Sequence, residues 1–570
     1  MRTRKKGLAF AALAVSVATA LAGCASHSTP SASGGSGSSS TPKKGGTLNV
    51  IQTTAFSHLD PTQGYDTGVI NFYQLIYSTL TAMDSSGPKT ASKVVPELAT
   101  DLGTHNGDAS VWTYHLKPGA AFSNGAPITS KDVKFGIERA FDPKLAVGSP
   151  YAKLYIQHPS SYQGPYKSGD LSSIQTPDDS TIVFHLSQSV PEFASALTEP
   201  VFTPFPNSPS TVTVTSVDQN PVSSGPYMVK SYQQGSSLSL VRNPHWKAGF
   251  DSIRKAYPDK IDFTFGVSQS TVDQRMIANQ DTDADAISGN SVQPSSLAKL
   301  QQPQVKSRVV TGQSGCTTYL VMNTTKPALK KVEARQAISY AVNKQQVLNA
   351  AGGSQLAQIA TTMLPPNTPG YQNFDLYPSK GHTGDAAKAK QLLSQAGVAA
   401  GTPLVIDTMN TPTMVGISEA IQQSLSKIGL NLKINEIDAS SFYQTIGTIN
   451  QQHDLTVTGW CPDWASGSTF LPPLFQGSQI FTQGNSNVAQ LNDPAVNARI
   501  KQIETMTDLT AAATAWTQLD KQILQLAPDL PLYYAKTVQL TGSNVGGTYS
   551  DAQFSGYANY ATLGLLDPKK

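Results

Sequence analysis

The sequence lacks the short motifs that identify most metal and nucleotide enzymes. Its nine histidines are all at least ten residues apart, so no His-x-x-x-His metal spacing occurs. It contains no Gly-x-Ser-x-Gly elbow and no Gly-Lys-Ser/Thr phosphate loop. We therefore expect neither a cofactor nor a metal, and nothing favours an enzyme, although a Ser-His-Asp set dispersed along the chain stays open.

One acidic stretch comes close to a metal loop. Asp281, Asp283 and Asp285 alternate as they do at the start of a calcium-binding loop. Ala286 stands where that loop needs glycine, and Val292 stands where it needs a bidentate glutamate. We interpret the stretch as a solvated loop between a helix and a strand.

Charge is also scarce, since charged residues make up 14% of the chain. Removing residues 1–23 takes away four of the 41 basic residues and none of the 38 acidic ones, which leaves a net charge of −1. Such a chain has no basic field for nucleic acid and no cationic amphipathic face. Its folded part, about 525 residues, is long enough for several domains.

The N-terminus has the order of an export signal. Basic residues within the first six positions precede an uncharged run, residues 7–24, that is too short to anchor the chain as a membrane span. The run ends in Leu21-Ala22-Gly23-Cys24, which resembles the bacterial lipobox, where the cysteine is acylated and becomes the new N-terminus. The alternative is an ordinary signal peptide with an incidental cysteine.

The next residues suit a tether. Residues 25–41 are mostly Ser, Gly, Ala, Thr and Pro, a composition that buries almost nothing and stays flexible. We expect residues 1–23 to be a lipoprotein signal peptide and 24–45 a flexible tether. A lipid group on Cys24 then holds the protein on the extracytoplasmic face of the bacterial cell membrane.

Cysteine is rare, and the chain has three. If Cys24 carries lipid, Cys316 and Cys461 remain in an oxidising compartment. An even pair there indicates a disulfide, and two buried free thiols are the alternative.

Helix and strand patterns alternate along the chain. Apolar residues recur at every second position in residues 47–51, 112–116, 182–186 and 430–434, as in strands. Thr129 and Asp132 have the spacing of a helix capping box. Helical periodicity predicts further helices at residues 333–350, 417–428 and 512–526. This alternation favours α/β lobes.

Six segments of the chain carry a pattern that is specific when taken together. The longest is WTYHLKPGAAFSNGAPITSKDVKFGIERAFDP at residues 112–143. The others, in chain order, are HLDP at 58–61, SGPY at 224–227 leading to RNPHW at 242–246, ARQAISYA at 334–341, GWCPDW at 459–464, and APDLPLYY at 527–534. Each segment alone is a modest signal, but in this order they resemble the extracellular solute-binding proteins of the peptide/nickel class, the ligand receptors of ABC importers. The resemblance covers about residues 46–570.

The resemblance implies a two-lobed, periplasmic-binding-protein-like type II fold of the α/β class, with three domains and a hinge. Domain I of lobe 1 is expected to combine residues 46–100, 221–315 and 536–570. Domain II, inserted in lobe 1, is expected at residues 101–220, and domain III, which forms lobe 2, at residues 316–535. Ligand is enclosed between the lobes, and a closed state that contacts it from both sides is favoured.

The resemblance also implies site residues. Oligopeptide-binding members carry Gly-Trp-Cys-x-Asp, whose aspartate pairs with the peptide α-ammonium and whose cysteine bonds to one in the strand opening domain III. This assigns Asp463 to the ammonium and pairs Cys461 with Cys316. The peptide backbone would pair near Gly459 and Cys461, with Trp460 walling the cleft. The alternative is that Asp463 is an ordinary loop carboxylate or a cap.

Two further aromatic residues match family positions that pack on ligand. They are Phe56 and Phe135, and a role as ordinary core aromatics is the alternative. One feature departs from the family pattern: Pro462 removes a backbone donor, and Ala465-Ser466-Gly467-Ser468 replaces the usual acidic-Pro or Asp-Pro step.

The resulting hypothesis is a monomeric, lipid-anchored receptor that captures di- or oligopeptides and passes them to permease subunits. Alternatives are a receptor for another solute, such as a metal chelate, a sugar or a signal molecule, a secreted two-lobed hydrolase, and a structural envelope protein. The sequence leaves four points open: the peptide length, the side-chain preference, the group that binds the ligand carboxylate, and the identity of the permease.

Overall fold

Two long antiparallel strands connect the two halves of the folded chain. A computed structural model describes residues 40–84, 87, 93–145, 148–249, 251 and 253–569. The predicted signal peptide, Cys24 and the first part of the tether lie outside these residues. In the described part of the chain, no helix is both long and apolar enough to cross a membrane.

The two long strands, here called the crossing strands, are Val309–Met322 and Asp529–Leu540. They pair from Val309 opposite Leu540 to Val321 opposite Asp529. The ladder shifts register between Gln313 and Thr317, where Gly315 adopts a φ of 74° that glycine tolerates best. One end of this ladder is buried in each half of the molecule.

Lobe 1 is built on a five-stranded mixed sheet that includes the predicted first strand, Thr47–Ile51. Its strands, in order across the sheet, are Ala286–Ser288, Thr47–Ile51, Lys260–Thr264, Ser237–Arg242 and Tyr227–Gln233. Helix Gln269–Ala278 packs with Val538 and Leu540 of a crossing strand in the core under this sheet. Lobe 1 therefore draws on segments distant in sequence.

A second sheet of lobe 1 lies between these segments in sequence. Its order is Thr104–His105, Val111–His115, Thr181–His185 and Ile174–Gln175, all antiparallel. Trp112, Tyr114, Ile182 and Phe184 are buried on one face, as their alternation predicts. Helix Ser130–Arg139 covers this core and begins with the predicted capping box between Thr129 and Asp132.

Lobe 2 contains a six-stranded sheet with apolar cores on both faces. Its order is Ala357–Ile359, Asp529–Leu540, Val309–Met322, Leu455–Trp460, Pro403–Met409 and Asn431–Ile437. Two further sheets have two strands each: Thr81–Met83 pairs with Val94–Pro96, and Val545–Gly546 pairs with Gly564–Leu565. The crossing strands lie side by side within this sheet, so lobe 2 is anchored directly on them.

Most helices of lobe 2 pack on the faces of this sheet. They are Val332–Ala341, Lys344–Ala350, Ala386–Ala396, Pro412–Ser426, Phe442–Ile446, Leu471–Phe475, Pro494–Glu504 and Leu509–Gln525. Short helices of lobe 1 and its connections are Thr67–Ile76, Tyr151–Tyr155, Pro165–Ser168, Phe193–Ala196, Ser216–Gln219 and Pro303–Lys306. These elements confirm the α/β class.

The expectation of one helix over residues 333–350 is wrong. The chain leaves the helical conformation at Val342, whose ψ is 125°, and Asn343 caps a second helix by accepting from the Gln346 backbone N–H. Apolar periodicity continues across this break because both helices bury residues in the same core. Apolar periodicity indicates which face of a helix is buried, but it does not show a break between two helices that bury residues in the same core.

A buried ion pair organises lobe 1 around the HLDP segment. The Arg139 guanidinium donates to both carboxylate oxygens of Asp60, at 2.6 and 3.2 Å, and both side chains have no exposed surface. Arg139 also donates to Thr62 Oγ1 and to the Tyr166 hydroxyl. These contacts tie the segment after the first strand to helix Ser130–Arg139.

We predict that Asp60→Asn lowers the free energy of unfolding by about 3–5 kcal/mol, because it leaves a buried guanidinium without its counter-ion. Denaturant unfolding of the folded chain measures this. The matched control is Asp179→Asn, which removes the partner of Lys131 in an exposed pair and should change stability far less. Equal effects of the two substitutions would contradict the assigned role.

Candidate functional site

Asp463 lies on the loop that follows the lobe 2 strand Leu455–Trp460. That strand pairs antiparallel with the crossing strand, with Trp460 opposite Thr317 and Gly459 opposite Thr318. At its end, Cys461 forms a disulfide with Cys316, as the sequence predicts. The loop carrying Asp463 is thus covalently attached beside the register shift of the crossing strands.

The Asp463 carboxylate is received by two tyrosines of lobe 1. The Tyr65 hydroxyl donates to Oδ1 at 2.6 Å, and the Tyr151 hydroxyl donates to Oδ2. Burial raises the pKa of Asp463 above its ordinary value, and the two hydroxyl donors offset this in part. No basic side chain of the described residues forms an ion pair with this carboxylate.

A second carboxylate, Glu199 of lobe 1, lies near enough to Asp463 for the two charges to influence each other. Glu199 precedes the short turn Pro200–Phe202 and is 4% exposed. Its buried Oε2 atom and the buried Ser149 hydroxyl are neighbours, and neither has another hydrogen-bond partner among the described residues. Burial, followed by the negative charge of Asp463, holds the pKa of Glu199 well above its usual range, with Ser149 acting in the opposite direction. The pocket around Asp463 is therefore acidic.

The aromatic side chains beside Asp463 enclose the carboxylate. The Tyr151 ring packs against Trp464 with centroids 4.8 Å apart, and Trp464 is buried in the core of the inserted lobe 1 sheet. Burial, then the negative charge of Asp463, raises the pKa of Tyr151, which keeps its hydroxyl protonated as a donor. A side chain from lobe 2 thus completes a core in lobe 1.

Glu192 makes the second set of contacts between the lobes. Its carboxylate accepts from Trp464 Nε1 at 3.0 Å, from Ser466 Oγ at 2.7 Å and from Ser468 Oγ. We call these three hydrogen bonds the Glu192 clamp. All three donors lie at or next to residues 465–468, where the sequence departs from the family pattern. In the structure, the Ser466 and Ser468 hydroxyls of this segment donate to Glu192 of lobe 1.

The remaining predicted residues of the Trp460 segment have structural partners. Trp460 Nε1 donates to the Thr469 carbonyl at 2.8 Å, and its ring packs on the lobe 2 core. Gly459 lies within the strand and is partly exposed, and Cys461 is exposed. Trp460 is therefore held in place by the protein, at the end of the strand that leads to Asp463.

Phe56 and Phe135 lie in the lobe 1 core. Phe56 is 7% exposed and stacks on Phe72 with ring centroids 4.5 Å apart. Phe135 is 2% exposed and meets the edge of Tyr166. This packing is that of core aromatics, the alternative left open by the sequence, and ligand contact by these two rings stays a prediction.

The acidic stretch at residues 281–285 has a structural role. Asp281–Asp285 forms a short 3₁₀ turn before strand Ala286–Ser288, and Arg275 pairs with Asp283 at 2.6 Å. Within the described ranges, no cluster of His, Cys, Asp and Glu is arranged to hold a metal ion.

Sequence reasoning missed four residues of this site: Tyr65, Tyr151, Glu192 and Glu199. Each belongs to lobe 1, and Tyr65 is 398 residues from its partner Asp463. Their local sequence carries no motif, since a tyrosine or glutamate in a loop is ordinary. Only the folded contact with the Asp463 loop identifies them.

Comparison with known proteins places the chain in a family. A model of the bacterial extracellular solute-binding proteins, family 5 Middle, matches residues 93–482. The periplasmic oligopeptide-binding protein OppA of Escherichia coli (strain K12) is 26% identical over 461 residues, covering 78% of this chain and 80% of that protein. The probable D,D-dipeptide-binding periplasmic protein DdpA of the same strain is 25% identical, covering 83% and 86%.

Solved structures agree on the fold. The clavulanic acid biosynthesis oligopeptide binding protein 2 superposes with a TM-score of 0.88 at 29% identity, covering 94% of this chain and 99% of that one. The DppA protein of Helicobacter pylori, solved with peptide STSA, gives a TM-score of 0.69 at 23% identity, covering 92% and 99%. The chain therefore belongs to family 5 of the bacterial extracellular solute-binding proteins, has their two-lobed α/β fold, and is a binding protein and not an enzyme.

Proposed function

We propose that this protein is a membrane-tethered extracytoplasmic receptor that captures di- or oligopeptides between its lobes and delivers them to the permease of an ABC transporter. One observation carries the peptide assignment: Asp463 of lobe 2 lies against lobe 1 with two hydroxyl donors and with no paired cation from the described part of the chain. A ligand α-ammonium supplies the missing charge. The oligopeptide-binding relatives support the same ligand class.

The ammonium assignment follows from solvation. An ammonium group that enters a closed cleft loses its water, and a paired carboxylate is the group that offsets this loss. The two tyrosine hydroxyls hold Asp463 in one orientation without neutralising it. Asp463 is therefore preorganised to bind a positively charged ligand group.

Backbone pairing would hold the rest of the peptide. The strand Leu455–Trp460 ends at the disulfide, so Gly459 and Cys461 present backbone groups close to Asp463. A peptide that pairs there in β fashion is recognised through its main chain, so its side chains are read only loosely. Trp460 would form a wall of this cleft, and Phe56 and Phe135 of lobe 1 are weaker candidates for ligand contact.

The tether and domain assignments complete the proposal. Residues 1–23 would be removed, Cys24 would carry lipid, and 24–45 would space the folded part from the membrane. The domains would follow the boundaries 46–100 with 221–315 and 536–570, 101–220, and 316–535, with the crossing strands as hinge. The protein would act as a monomer, because one chain supplies both sides of the cleft.

The Glu192 clamp would stabilise the closed state that a permease recognises. Its carboxylate is on lobe 1 and its three donors are on lobe 2, so hinge opening breaks all three hydrogen bonds together. Hydrogen bonds to a charged group contribute about 1.5–3 kcal/mol each in favourable cases. The clamp therefore shifts the open–closed equilibrium without touching the ligand.

We predict that Asp463→Asn weakens binding of free-amine peptides by about 2–5 kcal/mol, because the buried ammonium loses its counter-ion. Isothermal calorimetry with a defined peptide measures this, after any co-purified ligand has been removed and identified by mass spectrometry. N-acetylation of the peptide should cost the wild type a similar amount and cost the variant little. Exposed Glu436→Gln on lobe 2 is the control; equal wild-type affinity for acetylated and free peptides would refute the ammonium role.

We predict that Glu192→Ala weakens peptide binding by about tenfold or more, because it removes a charged acceptor of the closed state. Ser466→Ala combined with Ser468→Ala removes two donors of the same clamp. A double-mutant cycle with small-angle scattering should show that the changes in affinity and closure are strongly non-additive. Additive effects would mean that these groups do not meet in the closed state.

A further inference from the structure

A turn at residues 550–556, here called the hinge turn, packs against both crossing strands next to their register shift. Gly312 of one strand lies opposite Thr537 of the other in the ladder. A Cβ on Gly312 would lie 1.8 Å from Ser550 Oγ, so the hinge turn fits there only against glycine. The Thr537 hydroxyl donates to the Ser555 carbonyl at 2.6 Å. The hinge turn is therefore fixed to the two strands that join the lobes.

Ser555 has an unfavourable backbone conformation within the hinge turn. Its φ is 51°, in the left-handed region that favours glycine. A residue other than glycine persists in such a conformation only where its surroundings hold it there, and such residues cluster at functional positions. Glycine would avoid this cost, so the serine side chain at this position requires an explanation.

The Ser555 hydroxyl lies between two groups that belong to different lobes. Its Oγ atom is 3.2 Å from Oγ1 of Thr67, the first residue of helix Thr67–Ile76 in lobe 1. The same Oγ atom is 3.7 Å from Sγ of Cys316 in the disulfide. Because a disulfide sulfur carries no hydrogen, Ser555 is the donor in this contact, while the Thr67 hydroxyl can donate to Ser555. One hydroxyl thus links both neighbours at once.

These two contacts complete a closed path through the candidate site. On the lobe 1 side, Thr67 is two residues from Tyr65, whose hydroxyl donates to Asp463 at 2.6 Å. On the lobe 2 side, Cys316 is bonded to Cys461, which is two residues from Asp463. The hydroxyl in the hinge turn therefore connects the base of the segment that carries the tyrosine donor with the base of the loop that carries the carboxylate.

We propose that Ser555 is a positioning residue for ligand capture, whose hydroxyl fixes the start of helix Thr67–Ile76 relative to the disulfide and so aligns Tyr65 with Asp463. This rests on the proposed function, since it assumes that the ligand ammonium binds Asp463. In this role Ser555 acts through the two segments that it connects and not by contact with the ligand. Because Tyr65 orients the carboxylate, a lost alignment weakens recognition of the ligand amino group in particular.

The first test uses ligand-free protein and two substitutions that remove the same hydroxyl. Ser555→Ala and Ser555→Gly should both speed hydrogen exchange of the Val69 and Ile70 backbone amides, at the start of the helix, by about fivefold. The glycine variant should unfold at a higher denaturant concentration than the alanine variant, because only glycine relieves the positive φ. The two variants thus share the lost contact but differ in stability.

The second test is calorimetry with trialanine and N-acetyl-trialanine. Both Ser555 variants should bind trialanine about three- to tenfold more weakly than the wild type, and their preference for the free amine should shrink by a similar factor. Thr67→Val removes the facing hydroxyl with little change of shape, and combining it with Ser555→Ala should cost little more than either change alone. His382→Gly, at another residue of positive φ (55°) outside this path, should leave binding unchanged.

Other outcomes separate the failures. Affinity losses that follow the different stabilities of the two Ser555 variants would reflect folding alone and would overturn the inference. Unchanged amide exchange, or an unchanged preference for the free amine in Ser555→Ala, would also overturn it. A wild type that binds neither peptide, or both equally, would instead count against the proposed function. The exchange experiment needs no ligand, so it distinguishes a failure of the positioning role from a failure of the proposed function.

Discussion

A carboxylate on one lobe is enclosed by the other lobe, and the organisation of the cleft depends on this contact. Asp463 leaves the lobe 2 sheet and enters a lobe 1 pocket where Tyr65 and Tyr151 donate to it. A buried anion requires donors or a counter-charge, since its hydration is lost. The protein provides the donors, and no cation of the described residues pairs with this carboxylate, which is the basis of the proposed ammonium role.

The crossing strands determine where this carboxylate can be. They pair along nearly their whole length, and each end is buried in a different core. The disulfide attaches the neighbouring strand end to the register shift, so the Asp463 loop has a defined origin close to the hinge. A rigid position near a hinge is well suited to sensing a ligand, because small rotations of a lobe make or break its contacts.

Residues 465–468 show how a departure from a family pattern acquires a role. Ser466 and Ser468, together with the Trp464 indole, donate to Glu192 across the cleft. An acidic residue in this segment would instead place a second negative charge beside Glu192. The serines thus allow a contact between lobes that contains one charge and several neutral donors, which is a favourable arrangement in a partly buried site.

Much of the fold was accessible from the sequence, because strand alternation, the Thr129 capping box and late helical periodicity are local properties that the structure confirms. Family resemblance added the two-lobed architecture and the Cys316–Cys461 bond. The helix break at Val342 could not be predicted from the sequence, since both helices bury apolar residues in one core and the periodicity continues across the break.

The site divides in the same way. The sequence by itself determined that Asp463 follows a tryptophan and a cysteine in a recognisable order, since these residues are adjacent in the chain. Only the tertiary structure decided which lobe 1 groups meet it. Tyr65, Tyr151, Glu192 and Glu199 lie hundreds of residues earlier and carry no local signal. Tyr65, Tyr151 and Glu192 come within hydrogen-bond distance of the Asp463 loop only because the two lobes meet there, a long-range contact that no local sequence pattern encodes.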